Sequence, residues 1–201
     1  MTLTRNVLYR TVAAVARRRL ARVLVVVAVA AAGVLMVSGA ASAASAASAA
    51  SASTFNEIRN AGTNKCLDVT AEDGYFNVGA RVQQYHCTGV QEQKWRAIQV
   101  NSIGGFSPAW EIVSQRSGLC LGRKGFAVDG EQAIQMPCDG SRQVTWYAGD
   151  LGNGNHDLVN TYDPRVLDLS GGSSADHAKV QLWTWNGTFA QQWRVFLPVA
   201  F

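Results

Sequence analysis

Hydrophobic positions follow two different patterns along this chain. Near the start, a continuous apolar run, VLVVVAVAAAGVLMV at 23–37, follows an arginine-rich stretch and precedes an Ala/Ser tract at 41–53. From Thr54 onward, apolar residues occur instead in short β-branched or aromatic runs separated by Gly, Asn, Asp or Pro. Such runs between turn formers are typical of β-strands, and no long helical period follows. The pattern predicts an all-β domain at 54–201.

The order of basic, apolar and small residues at the start predicts an export signal. Ser42 lies between Ala41 and Ala43, so we expect a signal peptide at 1–43 and an Ala/Ser-rich leader at 44–53. The apolar run is shorter than the ~20 residues that a membrane-spanning helix needs, which favours cleavage over an uncleaved anchor. The expected product is secreted and extracellular, without membrane attachment.

Charge is divided at the same boundary. Six of the 18 Lys and Arg residues precede it and all 14 Asp and Glu residues follow it, so the mature chain has a formal net charge of −2 although the full chain has +4. A slightly acidic domain lacks the basic surface with which proteins bind nucleic acid or anionic membranes. Neither is therefore an expected partner.

The domain contains three similar units. They include KCLDV…QKW (65–95), LCLGR…VTW (119–146) and RVLDL…QQW (165–193), and they end at Trp95, Trp146 and Trp193. Each unit has about four strand-like runs, which predicts twelve strands with pseudo-threefold symmetry. Such an array removes its exposed edges by closing on itself. We expect the closing tryptophans and the leucine of each opening motif to form one core; these leucines are Leu67, Leu121 and Leu167.

Cysteines occupy equivalent positions in the first two units. The predicted disulfides are Cys66–Cys87 and Cys120–Cys138. The third unit has Val166 and Trp185 at these positions, so its hairpin is expected to depend on the packing of Trp185. No C-x-x-C pair occurs and the three histidines are not spaced as ligands, so neither a metal site nor another cofactor is expected.

The closing motifs Gln93-Lys94-Trp95 and Gln191-Gln192-Trp193 resemble the Q-x-W signature of ricin-B-type lectins, also called carbohydrate-binding module family thirteen. Val144-Thr145-Trp146 is a degenerate third copy, and CLDV at 66–69 fits as well. The resemblance covers about 54–198. It implies a β-trefoil with up to three shallow sites, one per unit, for galactose-type sugars or xylan-like polysaccharides.

The resemblance also implies particular sugar-binding residues, and their chemistry suits a pyranose. A sugar ring needs an aromatic platform for its C–H face and carboxylate or amide partners for its hydroxyls. The implied residues are Asp68, Gln83, Tyr85, Glu92 and Gln93 in the first unit, and Asp168, Gln181, Trp183, Asn186 and Gln191 in the third. The family commonly has an asparagine where this sequence has Glu92 and Ala190; Glu92 can still accept a hydrogen bond, whereas the third site is expected either to be weaker or to use a neighbour such as Asn186.

The second unit departs from this pattern, because Gly122 replaces the aspartate, Met136 the aromatic residue and Val144 the glutamine. It is expected to be a structural spacer. A non-catalytic lectin or free-standing carbohydrate-binding module, acting alone or beside a separately encoded glycoside hydrolase, is the favoured function. The alternative is a protein-binding trefoil, such as a protease inhibitor or a toxin-associated subunit, that uses the extra loop at 100–109.

Overall fold

The computed structural model describes residues 54–100, 108–125 and 128–198, and these form an almost entirely β domain. The predicted signal peptide and leader lie outside the described residues. The strands are β1 (Asn56–Glu57), β2 (Arg59–Asn60), β3 (Cys66–Val69), β4 (Val82–Tyr85), β5 (Lys94–Val100), β6 (Ala109–Ser114), β7 (Cys120–Gly122), β8 (Glu131–Gln132), β9 (Ile134–Met136), β10 (Thr145–Gly152), β11 (Asn155–Asn160), β12 (Val166–Leu169), β13 (Ala178–Trp183) and β14 (Trp193–Arg194). Short 3-10 turns span Gln91–Gln93, Ser170–Gly172 and Phe189–Gln191.

The strands confirm the prediction of four per unit. β1 and β2 are one run interrupted at Ile58, and β8 and β9 are one run interrupted at Ala133. Both interrupting residues are buried in the core. The fourteen strands of the described residues are therefore twelve runs, four in each unit.

The strand pairings form a closed barrel capped by three hairpins. Around the barrel, β1 pairs with β5, β5 with β6, β6 with β10, β10 with β11, β11 with β14, and β14 with β2. The hairpins are β3–β4, β7–β9 and β12–β13, and further antiparallel pairs link β13 to β4 and to β8. A closed ring leaves no unpaired edge. The architecture is the predicted β-trefoil.

The hairpin registers confirm that the three units are equivalent. Cys66 pairs with Tyr85, Cys120 with Met136, and Val166 with Trp183. In every unit the closing tryptophan is at most 2% exposed, and its indole N–H donates to the carbonyl of the buried leucine. These bonds are Trp95 to Leu67 at 3.0 Å, Trp146 to Leu121 at 2.9 Å and Trp193 to Leu167 at 3.0 Å. The predicted core is confirmed.

Both predicted disulfides are present, Cys66–Cys87 and Cys120–Cys138. The role predicted for Trp185 is wrong, because its side chain is 39% exposed and cannot hold the third hairpin by packing. Hydrogen bonds hold that hairpin instead: the Gln191 amide donates to Thr184 O and accepts from Asn186 N. None of the described residues forms a helix with the length and apolar character of a membrane span.

Candidate functional site

A cleft of ≈ 250 Å³ lies over the β3–β4 hairpin, and we call it the first-unit cleft. The residues predicted for the first unit all line it: Asp68, Gln83, Tyr85, Glu92 and Gln93. The strand register places Asp68 opposite Gln83, whose Nε2 donates to Asp68 Oδ1 at 2.8 Å. Tyr85 follows two residues later on β4, where alternation returns its ring to the same face as Gln83.

The third-unit cleft repeats this arrangement over the β12–β13 hairpin, with a volume of ≈ 810 Å³. Asp168, Gln181, Trp183 and Asn186 line it. Gln181 Nε2 donates to Asp168 Oδ1 at 2.8 Å, which is the same bond at the same length as in the first unit. Trp183 is 37% exposed, so a flat aromatic face is open to solvent.

The two aspartates lie deeper than alternation along the strand predicts. Asp68 follows the core residue Leu67, and strand alternation alone would turn its side chain towards solvent, yet Asp68 is only 5% exposed and Asp168 only 4%. The reason is that a 3-10 turn packs on each strand: Gln91–Gln93 on β3 and Phe189–Gln191 on β12. The carboxylates therefore form cleft floors and do not project from the surface.

Burial raises the pKa of Asp68 above the usual value for aspartate, and it raises the pKa of Asp168 in the same way. Hydrogen bonds from two glutamines oppose this rise in each cleft. Gln83 and Gln93 act on Asp68, and Gln181 and Gln191 act on Asp168. Each carboxylate is thus a desolvated acceptor that amide donors keep in one orientation.

Gln93 and Gln191 are completely buried, and their amide groups bond to the chain that follows each hairpin. Gln93 Nε2 donates to His86 O at 3.0 Å, and its Oε1 accepts from Thr88 N at 2.8 Å. Gln191 makes the equivalent bonds to Thr184 O and Asn186 N. The glutamine of each Q-x-W motif thus ties the loop after the hairpin to the aspartate beneath it.

The second unit has no room for a carboxylate at the position of Asp68 and Asp168. A Cβ at Gly122 would lie 3.0 Å from Val144 Cγ1, 3.1 Å from Gln143 O and 3.5 Å from Met136 Cγ. Val144 is completely buried. Where the other units hold a carboxylate and its amide partner, packed apolar side chains fill the space.

Comparison with known proteins shows the family of the domain. The family model of the ricin-type beta-trefoil lectin domain matches residues 54–193. The chain belongs to this family. No curated protein sequence matches the chain.

Several solved structures resemble this ricin-type lectin domain. The designed threefold-symmetric protein ThreeFoil is 30% identical, with a TM-score of 0.62, over 70% of this chain and 96% of its own. The exo-beta-1,3-galactanase 1,3Gal43A from Clostridium thermocellum is 26% identical, with a TM-score of 0.64, over 72% of this chain and 30% of its own. The Macrolepiota procera ricin B-like lectin, solved with lactose, is 25% identical, with a TM-score of 0.58, over 73% of this chain and 96% of its own.

Both clefts also contain residues that sequence reasoning missed. Tyr75 and His177 line the first-unit cleft, and Asn60, Thr63 and Phe189 line the third-unit cleft. Tyr75 lies in the β3–β4 loop, which is four residues longer than the β12–β13 loop of the third unit. His177, Asn60 and Thr63 come from a different unit from the cleft that they line, so no search within one unit could find them.

Among the described residues, two groups have metal-ligand side chains close together. One is Glu57 with Cys66 and Cys87, and the other is Glu111 with Cys120 and Cys138. In both groups the sulfurs are joined in a disulfide. A disulfide does not supply the thiolate that metal binding by cysteine requires, so neither group is a candidate metal centre.

Proposed function

We propose that this ricin-type lectin domain is a secreted, non-catalytic sugar-binding protein with two sites, one in each of the two clefts. One observation carries the proposal. A buried carboxylate, held by two glutamines beneath an accessible aromatic ring, occurs in register in the first and third units. The second unit, which keeps the same scaffold, lacks all of these groups.

The arrangement suits the two faces of a pyranose. The exposed face of Trp183 can stack on sugar C–H groups, and half-buried Tyr85 can do so in the first unit. Asp68 and Asp168 accept hydrogen bonds from ring hydroxyls, and charge-assisted bonds of this kind are the stronger ones. Asn186 lines the third-unit cleft, where the smaller Ala190 replaces Glu92.

Galactosyl ligands are the first class to test, and xylan-like chains the second. Two of the similar structures support this order, because one is a lectin in complex with lactose and the other is a β-1,3-galactanase. A module that resembles part of a galactanase also suits a chain that acts beside a separately encoded glycoside hydrolase. Export through the arginine-rich N-terminal segment would place it with extracellular glycan.

The absence of catalysis is part of the proposal. Asp68 and Asp168 line separate clefts and so cannot flank one glycosidic bond. The first-unit cleft holds a second carboxylate, Glu92, but hydrogen bonding engages it with Tyr75. The third-unit cleft has Ala190 at that position. Release of product from chromogenic galactosides and xylosides by the purified protein would overturn this part of the proposal.

A glycan array followed by retention on a galactan or xylan matrix tests the binding function. Tyr85→Ala and Trp183→Ala should each reduce retention, and the double variant should abolish it, because two sites acting on one polymer reinforce each other. Phe196→Ala is the matched control, since this aromatic side chain is 68% exposed and lines neither cleft. It should be retained like the unaltered protein.

A double variant that is folded and still retained would place sugar binding elsewhere on the molecule. An array without binding, together with a defined protein captured from culture medium, would favour the protein-binding alternative. The loop at 100–109 proposed for that role lies mostly outside the described residues.

A further inference from the structure

One backbone position differs among the three units in a way that bears on the clefts. Gly79, Gly130 and His177 each have a positive φ, at 90°, 86° and 63°. Their N–H groups donate at 2.8–2.9 Å to the carbonyls of Gln135, Leu182 and Gln84. These acceptors are themselves equivalent, because each is the strand partner of its unit's core leucine. The three positions therefore correspond.

Only His177 carries a side chain in this left-handed conformation, which glycine adopts without steric cost. Each of these residues reaches the hairpin of a neighbouring unit, so His177 of the third unit borders the first-unit cleft. Its ring lies 4.8 Å from the Tyr85 ring, centroid to centroid. Its Nδ1 lies 3.3 Å from Gln83 Oε1, whose amide group holds Asp68. The strained residue thus contacts both the aromatic platform and the partner of the carboxylate.

Gly130 occupies the same place beside the third-unit cleft. A Cβ there would lie 3.7 Å from Trp183 Cζ3 and 3.9 Å from Gln181 Oε1. Any side chain at Gly130 would therefore approach Trp183 and Gln181, the third-unit equivalents of the two groups that His177 contacts in the first unit. Without one, the Trp183 face stays open on this side.

We propose that His177 is a specificity-determining residue, which closes one side of the first-unit cleft so that this site accepts a single terminal sugar. The third-unit cleft, which has Gly130 in its place, accepts an internal stretch of a polysaccharide. The proposal rests on the sugar-binding function proposed above. The proposal rests on geometry. A longer sugar chain gains affinity only if its further residues can lie against the protein. The His177 side chain stands beside Tyr85, where such a chain would continue, whereas Gly130 leaves the equivalent space beside Trp183 free.

Single-site proteins allow each cleft to be measured alone. Trp183→Ala leaves the first-unit site and Tyr85→Ala leaves the third-unit site. Calorimetric titration would use the galactose and xylose series, from the monosaccharide to the tetrasaccharide. The affinity of the Trp183→Ala protein should stay level along the series, whereas that of the Tyr85→Ala protein should rise by about tenfold.

Exchanging His177 and Gly130 should exchange how the affinity of the two sites depends on sugar chain length. Adding His177→Gly to the Trp183→Ala protein should produce the rise with chain length, and adding Gly130→His to the Tyr85→Ala protein should remove it. Gly79→His is the matched control, since it alters the same position beside the unit without a cleft and its Cβ meets nothing within 4 Å. Gly130→Ala introduces a Cβ at the left-handed position without the imidazole ring.

The His177→Gly variant should fold at least as well as the unaltered chain, because glycine relieves the left-handed conformation. The His177→Gly variant therefore tests the proposal even if the Gly130→His variant does not fold. A Trp183→Ala protein that binds monosaccharide but shows the same chain-length profile with and without His177→Gly would overturn the role of His177 and leave the lectin function standing. Two single-site proteins that are folded and bind no sugar would overturn both.

Discussion

The first and second units have the same scaffold but differ at one position on the hairpin, where the first has a carboxylate and the second has glycine. Both have a hairpin of identical register, a disulfide, and an indole N–H donated to a leucine carbonyl. Yet the first places Asp68 at the floor of a cleft, whereas the second has Gly122 beneath Val144. The hairpin therefore forms without a carboxylate at this position, and we predict that Asp68 and Asp168 are not needed to hold the fold.

The second unit also differs from the first at the next position along the strand. At the position of Val69, which follows Asp68, it has Arg123, a completely buried side chain that forms ion pairs with Glu131 and Asp163. A buried arginine is tolerated only when its charge is paired in this way. A buried ion-pair cluster thus links the second unit to Asp163 of the third, directly after the glycine that stands in the place of Asp68.

The scaffold shared by the units should give the largest energetic effect. Trp146→Ala removes a fully buried indole and its bond to Leu121 O, so the free energy of unfolding should fall by about 3–5 kcal/mol. Urea denaturation measures the loss. Trp185→Ala is the control, because this indole is 39% exposed and its removal should stay within about 0.5 kcal/mol. Equal losses from the two changes would contradict the division between core and surface tryptophans.

Removing a disulfide should give the next largest loss of stability, and this loss concerns the first and second units, which have the disulfides. Replacing Cys66 and Cys87 by alanine should lower the free energy of unfolding by about 3 kcal/mol, because the bond closes a loop of 21 residues. The Cys120/Cys138 pair, separated by 18 residues, should give a similar loss. Unfolding midpoints measured with and without reductant provide the check. An unchanged midpoint on full reduction would show that packing alone holds both hairpins.

Much of this structure could be predicted from the sequence because the repeat carries the same information three times. The strand runs, the disulfides and the missing chemistry of the second unit all follow from aligning the units. The burial of Asp68 did not, since alternation assumes that one strand face meets solvent, and here the turn Gln91–Gln93 covers it. His177 was missed because it joins a cleft of another unit, although its alignment with Gly79 and Gly130 is a usable signal.

Installing the carboxylate in the second unit should cost less than losing a core tryptophan or a disulfide. The Cβ and carboxylate of Gly122→Asp must displace Val144, so the free energy of unfolding should fall by about 1–3 kcal/mol without a gain in sugar stoichiometry. Gly122→Ala separates the steric part from the charge. Adding Val144→Gln and Met136→Tyr should recover part of the loss. A Gly122→Asp protein that binds a third sugar without these changes would contradict the packing argument.

Asp168→Asn should change stability least, and in the opposite direction. Because burial raises the folded-state pKa of Asp168, the ionised carboxylate destabilises the fold at pH above that pKa, and the penalty disappears as pH falls towards 3.8, the unfolded value. Asparagine carries no charge, and its oxygen can still accept from Gln181. The variant should therefore be slightly more stable than the unaltered protein at pH 7 and equal to it at pH 3.

Sugar affinity at the third-unit site should meanwhile fall by about 10- to 100-fold, because a hydrogen bond to a charged group is lost. Paired denaturation curves at the two pH values, with titration of the Tyr85→Ala protein, measure both effects. A variant that is less stable at pH 7 would show that Asp168 holds the fold, and the contrast with Gly122 would then need another explanation.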